Sequence, residues 1–377
     1  MALSRLSDAF LDSLREVTDP EIQPLYEEVV RVATKEQLED LNRYLQWDRW
    51  PYPEGIPDAI RVFIEDTPVE YPDWVDLEAV QEAQDQFRVW GAFGILSLVM
   101  KAVPQFLAAA NAAQVFVRAD TFALGSVPRL VIETVHLLFR IMSGGGLNVT
   151  PQKAKGVVSL QKLRVHHCAM RREVIKHPEV EATPWDPAWG APINQEDMAL
   201  GIVALSLFTM DGLDRLDVPA SEKEKEDFLM LWRIIGWLLG QNERTLPTSL
   251  EDGRQLLTHM GKRQFRKSEG GAGLVKQLLA VMQKILPEDL RDFPTAMMRY
   301  MMDPLFVEML DVPPAATRDA DLKSAAQLGT LFPHLEGFLT GTALRALIRG
   351  FRDTKERHGN RKAFDIPDQM LFSPYAA

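Results

Sequence analysis

One histidine, His167, stands among apolar residues at helical spacing. Leu160, Leu163, Met170 and Val174 lie three, four or seven residues away from it. Those intervals place all five side chains on one face of a helix. An imidazole on an apolar face is either a hydrogen-bonded core residue or a ligand of a metal carried by an apolar cofactor. The spacing alone leaves both interpretations open.

Two arginines flank this histidine along the same helix. Arg164 precedes it by three residues and Arg171 follows it by four. A haem requires an imidazole nitrogen for its iron, apolar walls for its macrocycle and cations for its propionates. The pattern suits haem with His167 as the iron ligand. Arg164 and Arg171 would then bind the propionates. Leu163 and Met170 would contact the ring.

A longer set of motifs surrounds this helix. Residues 164–171 read RVHHCAMR, and residues 192–197 read PINQED. Three further motifs accompany them: YPDWVD at residues 71–76, Asp211-Gly212-Leu213, and the spaced residues Trp232, Gly236 and Gly240. Together these runs resemble the superfamily of latex clearing proteins and MpaB-type oxygenases, most strongly from about 160 to 245.

The resemblance implies an all-α fold in which His167, between Arg164 and Arg171, is the proximal ligand of a b-type haem. It implies a haem-dependent oxygenase that uses dioxygen on an apolar, possibly unsaturated or isoprenoid-like substrate. Rubber-cleaving members carry a lysine-threonine pair and a glutamate base on the distal side. This chain has Glu133-Thr134 at the pair and Ala112-Ala113-Gln114 near the glutamate. Glu133 and Thr134 are therefore the distal catalytic candidates.

Other functions remain open at this stage. The protein could bind haem without catalysis, as a carrier or gas sensor, or be a cofactor-free helical interaction protein with His167 in its core. Glu133 and His136 also form half of a dinuclear iron carboxylate motif, which requires a second copy that the sequence lacks. We expect His166 to point away from the His167 face and Cys168 to serve as packing.

Helical periodicity dominates from residue 87 onward, where strand patterns nearly vanish. The predicted helices include 87–102, 105–117, 128–142, 151–177 and 194–213. Asn194 with Asp197 predicts one N-cap, and Ser221 with Glu224 predicts a capping box. The fold class is all-α, a single large domain whose long helices pack as in globins around a central haem pocket.

The N-terminal part has a different pattern. Two helical stretches, 3–16 and 21–44, precede an aromatic and proline-rich stretch from Trp47 to Trp74 that we expect to be irregular and to cover the helical body. We therefore divide the chain into an N-terminal helical and aromatic wrapping segment, 1–85, and an all-helical haem-binding oxygenase-like domain, 86–377.

Composition excludes several kinds of partner. The chain has 377 residues, 46% of them hydrophobic, and a formal net charge of −11, which disfavours nucleic acid and anionic membrane surfaces. Lys101 and Pro104 interrupt its most apolar stretch, 92–117, so we expect no membrane span. One cysteine and no recognisable leader pattern favour a reducing cytoplasm. The oligomeric state stays open.

Overall fold

The computed structural model describes residues 4–46, 53–90, 92–121, 137–138, 140–150, 152–176, 184–285, 288 and 291–316. Across these ranges the regular structure is helical, and the one β-type contact is an isolated bridge between Ala109 and Phe265. The all-α prediction is confirmed.

The helices follow one another along the chain. They are α1 Asp8–Arg15, α2 Ile22–Val32, α3 Lys35–Gln46, α4 Asp58–Arg61, α5 Leu77–Trp90, α6 Ala92–Ser97, α7 Val103–Phe106, α8 Ala110–Thr121, α9 Lys155–Lys176, α10 Gln195–Arg215, α11 Glu222–Leu238, α12 Leu250–Gln264, α13 Glu269–Ile285, α14 Phe293–Met301 and α15 Pro304–Met309. The described residues also include two π-helical segments, Val62–Asp66 and Leu98–Ala102, and two 3-10 turns, Pro187–Trp189 and Glu243–Thr245.

Helix α10, the central helix, is the axis of the main core. It packs against α1, α6, the π-helical segment Leu98–Ala102, α7, α11 and α12. Its side chains are buried on almost every face, as expected for a helix that is apolar all round. Asn194 caps its first turn by accepting a 3.0 Å hydrogen bond from the backbone N–H of Asp197, as the sequence predicts.

The motif glycine Gly212 lets α6 approach the central helix closely. Ser97 on α6 donates a 2.7 Å hydrogen bond to the carbonyl oxygen of Thr209. A methyl group on Gly212 would collide with the side chain of Ser97. The glycine in the Asp211-Gly212-Leu213 motif is therefore a helix-packing requirement.

Helix α9, the His167 helix, separates the main core from a smaller second core. Its outer side packs on α2, α3 and the π-helical segment Val62–Asp66, and it also contacts α8 and α11. The second core combines Val165 and Cys168 with buried residues of the N-terminal part, namely Ile22, Tyr26, Val29, Leu41, Tyr44, Ile56, Ile60, Phe63 and Ile64. Each large side chain buried there contributes roughly 1.5–3 kcal/mol. The N-terminal part thus covers the outer side of the His167 helix.

Several predicted boundaries are wrong. The stretch 21–44 forms two helices, because Thr34 and Gln37 make a reciprocal capping box that starts α3 afresh. The stretch predicted to be irregular contains α4 and the π-helical segment Val62–Asp66. The His167 helix begins at Lys155, later than the predicted residue 151. The proposed domain boundary at residue 85 falls inside helix α5.

The predicted helix 87–102 is also wrong. Helix α5 starts at Leu77, and the chain bends by 88° between Leu77–Trp90 and Phe93–Phe106. The π-helical segment lies directly before the first turn of α7, where Pro104 lacks the N–H that a regular helical ladder requires. Among the described residues no single helix has the length and apolarity to cross a membrane; this bent pair meets that test only when its two parts are combined.

Candidate cofactor site

The side chain of His167 lies deep in the protein and yet keeps accessible surface. The imidazole is surrounded by protein, and burial is the main influence on its pKa. The residue nevertheless keeps part of its accessible surface. Leu163 and Met170, one turn away on either side, are likewise partly covered, whereas Leu160 and Val174 at the ends of this face are fully buried. The middle of this face, around His167, is therefore less covered than its two ends.

The imidazole of His167 is neutral. Burial holds the pKa of His167 well below its ordinary value, and the electrostatic effect of Arg171, His166 and Arg164 lowers it further. Within the parts of the chain that the structure describes, no protein group forms a hydrogen bond or ion pair with this ring. A neutral imidazole with a nitrogen available is the form of histidine that binds metals.

Arg164 makes a buried ion pair behind this histidine. Its Nε and Nη2 donate to the two carboxylate oxygens of Asp19 at 2.7 and 2.9 Å, and Nη2 also donates to Glu21 at 2.7 Å. The remaining nitrogen, Nη1, donates to Gln161 at 3.3 Å. The ring of Phe63 lies 5.1 Å below the guanidinium. Every nitrogen of this guanidinium has a protein acceptor.

Arg171 lies two helical turns after Arg164 and also donates hydrogen bonds to neighbouring elements. Its Nε donates to the carbonyl oxygen of Pro192 at 3.0 Å and its Nη2 to that of Ile193 at 2.9 Å. Its Nη1 donates to Gln23 at 3.0 Å and lies 3.6 Å from the sulfur of Cys168. Arg171 therefore joins the His167 helix to α2 and to the turn that precedes the central helix.

These contacts give the two arginines a structural role that their spacing did not predict. Arg164 and Arg171 donate from all three of their nitrogens to protein acceptors. Both fix the His167 helix against its neighbours and so set the position of the imidazole, and their binding of propionates stays a prediction. Sequence spacing identified the cations but not their acceptors.

The motif glycine Gly240 packs against the ion pair of Arg164 and Asp19. It follows the C-terminal end of α11 with a φ of +73°, a conformation that favours glycine. A methyl group there would lie 2.8 Å from Nη2 of Arg164 and 2.8 Å from a carboxylate oxygen of Asp19. The glycine therefore permits both the turn and the ion pair.

The motif PINQED ties the same region together. Gln195 donates to the carbonyl oxygens of Thr18 and Gly240, both at 2.9 Å. Glu196 is fully buried and accepts from Arg15 at 3.0 Å and from Arg263 at 2.8 Å. These residues hold the N-terminal part against the start of the central helix.

Asp197 is the unusual member of that motif. Burial raises the pKa of this carboxyl to about 7, and the neighbouring charge of Glu196 adds to the effect. One carboxyl oxygen accepts from the Asn194 amide at 2.9 Å, while the other has no partner in the described structure. The carboxyl group therefore holds its proton to a much higher pH than an exposed aspartate does.

The two residues beside His167 are accounted for. His166 is partly covered and makes an interaction of its own. Cys168 is buried in the second core, and burial raises the pKa of its thiol to about 12, which makes it packing material as predicted.

The structure does not describe the predicted distal residues. Glu133, Thr134 and His136 lie outside the described residues, so their roles stay predictions. In α8, Ala112 and Ala113 are buried in the main core. Across the described ranges, His, Cys, Asp and Glu side chains form no group of three that could hold a metal ion by themselves.

The fold and this site define an all-α protein with an internal histidine on an apolar face, held by a network of buried arginines. Residues 81–331, more than half of the chain, match the family model described as ER-bound oxygenase mpaB/B'/Rubber oxygenase, catalytic domain, and the chain belongs to that family. The His167 helix and the central helix both fall within the matched residues.

Two relatives extend the comparison. The chain is similar to a rubber oxygenase of Streptomyces sp. (strain K30), at 22% identity over 93% of this chain and 86% of the relative. Its fold is similar to a solved structure of latex clearing protein in the closed state, with a TM-score of 0.67, 18% identity and coverage of 98% of this chain and 100% of the other. The second likeness shows the fold alone.

Proposed function

We propose that this protein is a haem b-dependent oxygenase that uses dioxygen on an apolar, isoprenoid-like substrate, with His167 as the iron ligand. The family is an oxygenase family; the cofactor, the ligand and the substrate are the proposal. One observation carries it. His167 presents a neutral imidazole, without a protein partner among the described residues, on an apolar face that packing leaves partly open.

The residues present fit a haem. The donor set is a neutral imidazole between the apolar side chains of Leu163 and Met170, as an iron ligand and a macrocycle require. When bound, the haem iron would supply the activation of dioxygen. Leu163 and Met170 would exclude water from the ring, while Arg164 and Arg171 would orient the imidazole through the helix that carries all four residues.

Proton transfer on the distal side is assigned to Glu133 and Thr134. A carboxyl group there could hold or move a proton, and a neighbouring hydroxyl could donate a hydrogen bond. This assignment rests on the sequence, because both residues lie outside the described ranges. It agrees with the position that the family's lysine-threonine pair would occupy.

The apolar substrate is supported by the relative. The similar Streptomyces protein is a rubber oxygenase, and rubber is an isoprenoid polymer. This chain lacks the lysine and the glutamate at the corresponding distal positions. We therefore propose an isoprenoid-like substrate without specifying its length.

Oxygen uptake tests this proposal. Purified protein is supplied with polyisoprene latex and with short isoprenoids such as squalene, and consumption of dioxygen is followed with an electrode. Consumption above that of an equal amount of free haem, abolished in His167→Ala, supports the oxygenase. A haem-loaded protein that consumes no dioxygen with any of these substrates would contradict catalysis.

A further inference from the structure

Asp19 is a buried carboxylate that contacts the His167 helix from the far end of the chain. Its exposed fraction is 2%, and it accepts two hydrogen bonds from Arg164, whose exposed fraction is 6%. Arg164 lies one helical turn before His167. The two residues are 145 positions apart in the sequence, so their pairing is a tertiary contact.

The same carboxylate holds a second element in place. Its Oδ1 accepts from the backbone N–H groups of Glu21 and Ile22, at 3.1 and 3.2 Å, and so starts helix α2. Asp19 thus fixes the His167 helix and α2 to one point. Gly240 packs directly above it.

Asp19 also interacts electrostatically with the two arginines beside the imidazole. The charges of Arg164 and Arg171 both lower the pKa of His167. The negative charge of Asp19 in turn interacts with both arginines. The other carboxylate that binds Arg164 belongs to Glu21, which is 60% exposed and therefore screened by solvent. Asp19 is the buried anion that opposes the two guanidinium charges at this site.

We propose that Asp19 is a positioning residue of the cofactor site: it fixes the register of the His167 helix and sets the electrostatic field at the imidazole. The inference rests on the proposed function in one respect, that His167 binds haem iron. An uncompensated positive charge near a redox centre stabilises its reduced form, which carries one positive charge less. Loss of the Asp19 charge should therefore raise the reduction potential.

A purely structural role gives a different expectation, and Glu196 provides the matched control. It too is a buried carboxylate that accepts from guanidinium groups, in its case those of Arg15 and Arg263. None of these three residues lies on the His167 helix. Glu196→Gln should therefore lower the melting temperature without altering the field at His167.

The experiment compares haem-loaded wild type, Asp19→Asn, Glu196→Gln and Glu21→Gln. Haem per chain is measured by the pyridine method, and the midpoint potential by spectroelectrochemical titration. Asp19→Asn should shift the potential to more positive values and lower haem occupancy several-fold. Both Glu196→Gln, despite its lower melting temperature, and Glu21→Gln should keep the wild-type potential. If Asp19→Asn keeps it as well, the inference is overturned.

A second pair of variants keeps the test decisive if Asp19→Asn does not fold. Arg164→Met leaves the Asp19 carboxylate uncompensated and should shift the potential to more negative values. The double variant Asp19→Asn/Arg164→Met removes both charges and should return the potential toward that of wild type. Absence of both effects overturns the inference. Wild-type protein that takes up no haem would instead overturn the proposed function itself.

Discussion

Arg171 donates a 2.9 Å hydrogen bond to the carbonyl oxygen of Ile193, a β-branched residue held at a φ of +52°. That backbone conformation is costly for isoleucine and persists only where its surroundings impose it. The arginine and the strained residue lie on two elements, the His167 helix and the turn before the central helix. Their contact couples the position of His167 to the start of the main core.

Replacement of Arg171 should therefore destabilise the protein. Arg171→Ala leaves two backbone carbonyl groups without their donor and should lower the free energy of unfolding by on the order of 3 kcal/mol. Arg171→Lys should restore little of it, because an ammonium group cannot reach both carbonyl oxygens with the planar geometry of a guanidinium. Urea unfolding followed by circular dichroism measures both variants.

The adjacent arginine supplies the control for that experiment. Arg172 is partly covered and contacts Glu27 at 3.5 Å, so Arg172→Ala should change the free energy of unfolding by less than about 1 kcal/mol. An equal loss of stability in Arg171→Ala and Arg172→Ala would show that the Arg171 contacts stabilise the protein no more than the Arg172 contact does.

Gly240 should be sensitive to addition of a single methyl group. Gly240→Ala combines a positive φ with a close approach to Arg164 and Asp19, and should lower the free energy of unfolding by more than about 1 kcal/mol. It should also lower haem occupancy, since it displaces the ion pair behind His167. Thermal melts and haem content give the two readouts.

Gly273 is the matched position for this substitution. It lies within helix α13, and nothing is within 4 Å of a methyl group there. Gly273→Ala should raise the free energy of unfolding by roughly 0.5–1 kcal/mol and leave haem occupancy unchanged. If Gly240→Ala behaves like Gly273→Ala, the packing argument at Gly240 is wrong.

Local signals in the sequence predicted part of this architecture. The caps at Asn194 and Ser221 depend on side chains and backbone groups within three residues, and both occur as expected. The face shared by Leu163, His167 and Met170 follows from helical periodicity alone. Such features can be inferred without knowledge of tertiary contacts.

The remaining features depend on contacts that a sequence pattern does not contain. The spacing of Arg164 and Arg171 predicted two cations near His167, but their acceptors come from Asp19 and from the turn at Pro192 and Ile193. The π-helical segments change the helical register, which apolar periodicity does not reveal. The Thr34–Gln37 capping box, which divides α2 from α3, is a local signal in the sequence that the predicted single helix 21–44 does not take into account.

Asp197 should make stability depend on pH. Its pKa is about 7 in the folded protein against 3.8 for an exposed carboxyl, so the folded state retains a proton that the unfolded state has lost. The contribution of Asp197 to the free energy of unfolding is therefore fully present below about pH 4. It declines as the pH rises to about 7 and stays constant above that. The total change is on the order of 4 kcal/mol.

Asp197→Asn isolates this effect. The amide does not titrate, so the variant should gain stability relative to wild type as the pH rises from 4 to 7, with a constant difference above 7. Urea unfolding at half-unit pH intervals measures the difference between the two proteins. A difference that does not change over this range would show that Asp197 is ionised in the folded state.

Glu133 should affect turnover without affecting cofactor content. Glu133→Gln preserves the shape of the side chain and removes its acid-base function, which is generally worth roughly 10² to 10⁴ in rate. Haem per chain should remain that of wild type, while oxygen uptake with an active substrate should fall by that factor. Unchanged uptake would reject Glu133 as a catalytic residue and leave His167 as the ligand.

The absorption spectrum of His167→Ala tests the central claim most directly. Wild type and variant are expressed with added haem precursor and purified in parallel, with His259→Ala as a control because His259 lies on helix α12, beside Asp8 and away from the His167 helix. Wild type and His259→Ala should show a Soret band with about one haem b per chain by the pyridine method. His167→Ala should retain wild-type helicity by circular dichroism and lose that band. A full Soret band in folded His167→Ala would contradict iron ligation by His167.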